Sequence, residues 1–248
     1  MSWILAALLL LAPTPQSMQA QEKLKEGQRL MAAEQFEPAA QAFREAIALD
    51  PLLTMAHYGL GQASMALKEY PSAVIAFRGA RDAFERRAAD SLTRTLENEN
   101  VRERRIRDLQ DKIRENSDRL LNPATPAGRT QQIRIQQWEM ELSTLQRPSE
   151  QRSTTPTVPA GISLALGSAH FRAGQLADAE REYRATLAAD PRLGEPRNNL
   201  AVVLLLTGRP GEAKEQLAIA EKNGFKVAAG LKKDVETALA TGSQSPRP

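Results

Sequence analysis

The sequence predicts an all-α protein: a solenoid of helix–turn–helix repeats, with a long antiparallel helical hairpin inserted in its middle and a capping helix near its C-terminus. Two observations predict this fold class. Small and large apolar residues recur with a period of 34 residues in two stretches of the chain. Between these stretches, a long segment without proline carries apolar residues at the three- and four-residue steps of a helix. A period of this length is typical of stacked units, because each unit alone leaves an apolar face uncovered.

The first element is a short apolar run from Trp3 to Ala12, which ends at Pro13. It is too short to cross a bilayer, which needs about 20 apolar residues. We interpret residues 1–20 as a signal peptide cleaved after Ala20, and we expect a periplasmic or secreted protein with no stable membrane insertion after signal removal. The alternative is an uncleaved tether or a buried amphipathic turn, since no Lys or Arg precedes the run.

Residues 20–87 are predicted to form the first two repeats, and residues 160–227 the third and fourth. Each unit has a small residue in its first helix and a large apolar residue sixteen positions later, in its second helix. These pairs are Gly27 with Phe43, Gly61 with Phe77, Gly167 with Tyr183, and Ala201 with Leu217. Small residues recur where the two helices must touch, and large apolar residues recur where they fill the gap between them. Pro51 marks the end of a second helix, because proline is not tolerated inside one.

The stretches LALGSAHFRAGQLADAEREY and NNLAVVLLLTGRPGEAKEQL carry this pattern most fully. The pattern resembles the tetratricopeptide repeat (TPR), in four copies near residues 20–53, 54–87, 160–193 and 194–227. It departs from the family where a large aromatic residue is usual near the start of each first helix: those positions hold Lys23, His57, Ser163 and Arg197. The resemblance implies stacked helix pairs whose first helices line a concave surface that binds a protein or peptide partner.

The resemblance also implies which residues line that groove. Carried over unit by unit, the family's groove positions are Leu24, Gln28, Met31, Tyr58, Gln62, Met65, Leu164, Ser168, Phe171, Asn198, Val202 and Leu205. Met31, Met65, Phe171 and Leu205 would form an apolar stripe with adaptable methionines at one end. Two interpretations stay open: the stripe is an open groove for an apolar or amphipathic segment, or neighbouring helices or the hairpin partly cover it.

About 72 residues are inserted between the second and third repeats, because Gly61 and Gly167 are 106 residues apart. We interpret residues 88–159 as a helical hairpin followed by a linker rich in Pro, Ser and Thr. Its apolar seam is predicted at Leu92, Leu96, Ile106, Leu109, Ile113 and Leu120 on one arm and at Ile135, Trp138, Leu142 and Leu145 on the other. The arms pair with each other, or they act as a lever or dimerisation arm, which would make the protein a homodimer.

Residues 228–240 are predicted to be a capping helix, with Leu231, Val235 and Leu239 on its apolar side. A terminal unit needs such a cap because no further repeat covers it. The remaining residues, 241–248, are expected to be a disordered tail.

The sequence contains no recognisable set of catalytic residues. We therefore expect that the protein is not an enzyme and that it binds neither a cofactor nor a metal ion. The chain has no cysteine, which excludes disulfides, thiolate metal sites and a cysteine nucleophile. Its two histidines, His57 and His170, are 113 residues apart, and we interpret both as packing substitutions. A formal charge of only +3 and an aromatic content of 4% also disfavour nucleic acid as a partner.

The function predicted from the sequence is that of a non-enzymatic scaffold or adaptor. It would bind a peptide or helical segment of a partner in the concave groove, in the bacterial envelope. The alternative is a structural protein that associates with itself through the coiled-coil hairpin.

Overall fold

The computed structural model describes residues 14–119, 121–147 and 156–242. Within them the chain folds into ten α-helices and no strand, which confirms the all-α prediction. The helices are α1 Pro15–Ala32, α2 Phe36–Leu49, α3 Thr54–Ala66, α4 Tyr70–Asp118, α5 Pro126–Leu145, α6 Ala160–Arg172, α7 Leu176–Ala189, α8 Gly194–Leu206, α9 Pro210–Lys222 and α10 Ala229–Ala240. Outside the described residues lie most of the expected signal peptide, Leu120 of the expected seam, most of the expected linker and most of the expected tail.

Two compact units make up the chain. The first comprises Met1–Arg87 and Thr157–Pro248, and the second comprises Ala88–Pro156. The first unit contains α1 to α3, the first part of α4, and α6 to α10. The second contains the rest of α4 together with α5. None of the described helices combines the length and the apolar character needed to span a bilayer.

The start of α1 bears on the expected cleavage point. Thr14 caps this helix by accepting a hydrogen bond from the backbone N–H of Ser17 at 3.2 Å, and Pro15 is its first residue. Ala20 is fully buried in the core of the first repeat. A cut after Ala20 would therefore fall inside α1 and leave Gln21 as its first residue. Export and cleavage stay a prediction.

In the first unit, each predicted repeat is a pair of helices: α1 with α2, α3 with the start of α4, α6 with α7, and α8 with α9. The recurring glycine of the first helix contacts the recurring aromatic residue of the second helix in the first three repeats. A Cβ atom added to Gly27 would lie 2.6 Å from the Phe43 ring, and one added to Gly61 would lie 2.5 Å from Phe77. Gly59 approaches the same Phe43 ring from α3, where an added Cβ would lie 2.5 Å away. In the first three repeats, the large aromatic residue of the second helix thus packs where a neighbouring helix has no side chain.

The third repeat packs directly on the second, although the inserted segment separates them in sequence. Ala73, Val74 and Phe77 of α4 form one buried cluster with Leu166 and Ala169 of α6. The core of the first unit therefore continues from the second repeat into the third.

An ion pair joins the second helices of these two repeats. Arg81 donates from Nη1 to both carboxylate oxygens of Glu182, at 2.9 and 3.1 Å, and the Glu182 side chain is 8% exposed. This contact links residues that lie on either side of the insertion in sequence.

The second unit is an antiparallel pair of helices, as the fold class predicted. Arg105 of α4 donates to both carboxylate oxygens of Glu141 in α5, at 2.8 and 3.0 Å. Later in α4, the Asn116 carbonyl accepts a hydrogen bond from Gln131 of α5 at 2.9 Å. Residues later in α4 therefore contact residues earlier in α5, so the two helices run in opposite directions. Of the predicted seam, Leu109 and Ile135 are buried, whereas Leu96 is 48% exposed.

The last helix, α10, covers the fourth repeat with two of its three predicted apolar residues. Val235 is buried in the core of the third and fourth repeats, and Leu231 packs against that core. Leu239 is 39% exposed, so its inclusion in the apolar side was wrong. It lies in the last turn of α10, outside the buried cluster that holds Val235.

Candidate functional site

A cleft of about 240 Å³ lies among the first helices of the second, third and fourth repeats. Its apolar lining consists of Met65 from α3, Phe171 from α6 and Val202 from α8. Ser168 is the fourth predicted groove residue at the cleft. Side chains from three successive repeats therefore meet at one place. Met65 and Phe171 hold the same position of their repeats, and Val202 holds the position of Ser168.

Polar groups surround this apolar lining. Tyr183 donates from its hydroxyl to Ser168 Oγ at 3.5 Å, a long hydrogen bond. Burial raises the pKa of Tyr183, so the hydroxyl remains protonated at neutral pH. Arg172 adds an exposed guanidinium, and the Asn199 amide supplies both a donor and an acceptor. The cleft thus offers one apolar surface, one positive charge and several hydrogen-bonding groups.

Asn198, also predicted, lies beside the cleft and donates to Asn199 Oδ1 at 3.4 Å. Leu164 and Leu205 are half-buried against the core of the third and fourth repeats. Neither residue is part of the lining of the cleft.

The predicted residues of the first two repeats are placed differently. Leu24, predicted to line the groove, is only 7% exposed and belongs to the core of the first repeat. Met31 is half-buried against the same core, whereas Gln28 and Gln62 are exposed. Tyr58 packs edge-on against Phe77, with ring centroids 5.4 Å apart. None of these five residues lines the cleft between α3, α6 and α8.

Both histidines make contacts near helix ends. His170 is 3% exposed, and its Nδ1 lies 2.6 Å from Gln175 Oε1. His57 Nε2 lies 2.9 Å from the carbonyl oxygen of Pro51. In the part of the chain that the structure describes, no three side chains of His, Asp or Glu are grouped so as to hold a metal ion.

Three lining residues, Arg172, Tyr183 and Asn199, were not among the predicted groove positions. Tyr183 was assigned to packing because it stands where Phe43 and Phe77 stand in the first two repeats. The signal that could have identified it is the added hydroxyl: an aromatic core position that gains a polar group needs a hydrogen-bonding partner. Arg172 follows the predicted Phe171 at the end of α6, and nothing in the repeat pattern distinguishes it.

Comparison with known families agrees with this repeat organisation. A profile of the tetratricopeptide repeat matches residues 24–90 and residues 164–224. The chain belongs to this family. The two TPR segments cover most of the four helix pairs of the first unit, and the residues between 90 and 164 lie outside the match. Members of the TPR family generally mediate protein–protein interactions and are typically non-catalytic.

Several solved TPR structures are similar to this chain. MamA has 15% sequence identity and a TM-score of 0.50, over 83% of this chain and 78% of MamA. PilW, a type IV pilus biogenesis factor, has 16% identity and a TM-score of 0.41, over 89% of this chain and 86% of PilW. The TPR2AB domain of yeast Sti1, in a complex with pHSP90, has 13% identity and a TM-score of 0.28, over 91% of this chain and 98% of the Sti1 chain. At these identities the likeness shows the fold alone. A comparison with curated protein sequences found no significant match.

Proposed function

We propose that this TPR protein is a non-enzymatic scaffold that binds a peptide or helical segment of a partner protein in the cleft between α3, α6 and α8. One observation carries the proposal: Met65, Phe171 and Val202, from three successive repeats, meet around one cleft with polar groups beside them. An apolar surface with a few placed polar groups is the usual composition of a binding site.

The size of the cleft favours a segment of a longer chain. Pockets that enclose a drug-sized ligand hold about 300–1,000 Å³, and this one holds about 240 Å³. It therefore suits one or two apolar side chains of a segment that continues beyond it. Asn199 is placed to bond the backbone of such a segment, and Arg172 is placed to pair with an acidic side chain.

The test begins with the partner. A photo-crosslinking amino acid at Gln62, which is exposed on α3 close in sequence to Met65, would capture it in the native cell. Binding of the purified partner to the full chain would then be measured by calorimetry. Phe171→Glu should weaken binding by at least tenfold, because it places a charge in the apolar lining.

The matched control is Met55→Glu. Met55 is also on a first helix and is 52% exposed, but it is not among the residues that line the cleft. Its substitution should leave the affinity unchanged, and circular dichroism should show both variants to be helical. Equal affinity of the Phe171→Glu variant and the parent protein would refute the assignment of the cleft.

Export to the periplasm or the medium is part of this proposal. It is supported by the apolar run Trp3–Ala12. N-terminal sequencing of the protein isolated from its native cell tests it. A mature chain that starts at Gln21 is the expected result, and a chain that starts at Met1 in the cytosolic fraction would contradict export.

A second candidate function is self-association through the hairpin. Ile133 and Met140 in α5 are 56% and 71% exposed, and they lie seven residues apart on one face of the helix. This spacing is that of a coiled-coil contact. Sedimentation velocity of the full chain should show a dimer that the double variant Ile133→Lys and Met140→Lys dissociates. A parent protein that is monomeric at 100 µM would exclude this candidate.

A further inference from the structure

A second and larger cleft, of about 560 Å³, lies between α2, α3 and the first turns of α4. Its apolar lining includes Ile47 from α2, Leu60 from α3 and Ile75 from α4. All its residues belong to the first unit, and none is shared with the cleft between α3, α6 and α8. An inference about it therefore does not depend on the function proposed above.

Comparison within the chain shows how this cleft arises. The first two repeats align with the last two at a distance of 140 residues, which pairs Gly27 with Gly167. The alignment also pairs equivalent contacts. His57 Nε2 lies 2.9 Å from the Pro51 carbonyl oxygen, and Arg197 donates from Nη2 to the Pro191 carbonyl at 2.8 Å. The two pairs of repeats can therefore be compared position by position.

At several positions that line the cleft, the first pair has the smaller residue. Two of these positions hold Ser64 and Ala76, where the last pair has Leu204 and Gln216. Leu204 is fully buried, and Gln216 accepts a hydrogen bond from Arg197 at 3.0 Å. The space that Leu204 and Gln216 occupy between α7, α8 and α9 is therefore open between α2, α3 and α4 beside Ser64 and Ala76. Beside Gly79 it is filled by the His57 ring, since a Cβ atom added to Gly79 would lie 2.5 Å from His57 Nδ1.

The cleft also contains a hydroxyl without a partner. Ser64 is fully buried and lines the cleft, and its Oγ forms no hydrogen bond with any described residue. A buried hydroxyl left unpaired carries a cost in folding free energy, because it gives up its hydrogen bonds to water without replacing them. A ligand atom that accepts a hydrogen bond from Ser64 would remove this cost, so the hydroxyl itself points to an occupant.

The first and last pairs of repeats also differ in the acidic residues that surround one arginine. Arg184 on α7 pairs with Glu180 at 2.8 Å and with Glu212 at 3.6 Å. Its equivalent on α2 is Arg44, which lines the cleft, and the positions of the two glutamates are taken by Ala40 and Ser72. Arg44 consequently has no acidic partner among the described residues.

A second arginine, Arg78, also lines the cleft and makes no ion pair within the described part of the chain. One acidic residue, Asp82, is present in the lining as well. Two arginines against one aspartate leave the cleft with a positive charge, which an acidic group of a partner would balance.

The edge of the cleft favours a macromolecular partner over an enclosed small molecule. Ile75 is 71% exposed although it is part of the apolar lining. The equivalent residue in the last pair is Glu215, which is polar and exposed, as expected for a surface that stays in water. A segment that lies across the cleft would bury Ile75, whereas a small ligand inside it would not.

We propose that the cleft between α2, α3 and α4 binds a peptide segment of a partner protein in which an apolar side chain stands next to an acidic one. The apolar side chain packs against Ile47, Leu60 and Ile75. The carboxylate pairs with Arg44 and Arg78, in the place of the glutamates that pair with Arg184. Ser64 donates its hydroxyl hydrogen to a carbonyl or carboxylate oxygen of the segment.

The experiment uses the full chain, labelled with ¹⁵N, and the blocked tetrapeptide acetyl-Glu-Leu-Leu-Glu-amide as the probe. Amide signals of Ser64, Ile75 and Arg78 should shift and saturate as the peptide is added. Ile75→Glu and Arg78→Ala should each raise the Kd by at least fivefold. Ile75 and Arg78 are exposed, and the equivalent residues of the last pair of repeats are Glu215 and Ala218. The two substitutions therefore introduce residue types that the repeat already accepts at these positions.

Matched controls separate the cleft from the general surface. Arg86→Ala removes an exposed arginine outside the cleft and should leave the Kd unchanged. The peptides acetyl-Gln-Leu-Leu-Gln-amide and acetyl-Glu-Gly-Gly-Glu-amide should bind at least fivefold more weakly, because each lacks one of the two required groups. Ser64→Ala should raise the Kd about threefold without lowering the unfolding midpoint, whereas a purely structural hydroxyl would leave the Kd unchanged.

Three results would overturn the proposal. The first is equal binding of the acidic and neutral peptides. The second is that the shifts occur at Phe171 and Val202 in place of Ser64 and Ile75. The third is that the same signals shift with protein concentration alone, which would identify the occupant as a second copy of the chain.

Discussion

At the scale of single residues, the turn inside each repeat requires a left-handed backbone conformation. One equivalent position of the four repeats has a positive φ. It holds Glu34, Lys68, Gly174 and Gly208, with φ of 58°, 61°, 78° and 74°. The residue after each donates its N–H to a carbonyl five residues back, as Gln35 does to Leu30 at 2.9 Å. Only the last two repeats use glycine, the residue that adopts this conformation without steric cost.

This difference predicts that the first two repeats are strained at one residue each. Glu34→Gly and Lys68→Gly should each raise the free energy of unfolding by up to about 1 kcal/mol, because a residue with a Cβ pays to be left-handed. Gly174→Ala should lower it by about 1 kcal/mol. Urea unfolding followed by circular dichroism measures both changes. A loss of stability in the glycine variants would show that the Glu34 and Lys68 side chains contribute more than their backbone strain costs.

The repeat pattern was sufficient to predict some residue contacts and not others. Gly61 against Phe77 was predictable because both residues lie in one unit at a fixed spacing. The burial of Leu24 was not, because a first-helix side chain can face either the groove or the helix of its own unit. The Ser64 cleft was missed as well, since it appears only when equivalent positions of the two repeat pairs are compared for size.

At the scale of helices, the contact between α4 and α7 is the one that the sequence could not predict. The helix pairs within each repeat follow from the 34-residue period. Nothing in the inserted segment indicates, however, that Arg81 meets Glu182 beyond it. The 34-residue period also does not predict where α4 ends. This helix continues from Tyr70 to Asp118 without interruption.

Removal of this ion pair should therefore weaken the joint between the second and third repeats. Glu182→Gln should lower the free energy of unfolding by about 1–3 kcal/mol, since it leaves a partly buried Arg81 without its carboxylate. The double variant Arg81→Gln with Glu182→Gln should lose less than the sum of the single variants. Additive losses in urea unfolding would show that the two side chains do not interact.

At the scale of the whole molecule, carboxylates that are bound by arginine make stability depend on pH. Burial acts to raise the pKa of Glu180, but hydrogen bonds from Arg184 and Arg209 outweigh it and hold the pKa below the ordinary value of 4.5. Glu212 has a lowered pKa too, chiefly because Arg209 donates to it. These residues join the second helices of the third and fourth repeats, as the 2.9 Å contact of Arg209 with Glu180 shows.

The direction of the pH effect follows from these lowered pKa values. A carboxylate with a lower pKa in the folded chain than in the unfolded chain stabilises the fold fully above the unfolded value. That contribution is lost as the pH falls through the folded value, so the thermal midpoint should decline below about pH 4.5. Glu180→Gln should lower the midpoint at pH 7 and make the decline between pH 5 and pH 3 shallower, because the amide does not titrate. Parallel curves for the parent protein and the variant, measured by calorimetry in the same buffers, would show that the acid sensitivity arises from other carboxylates.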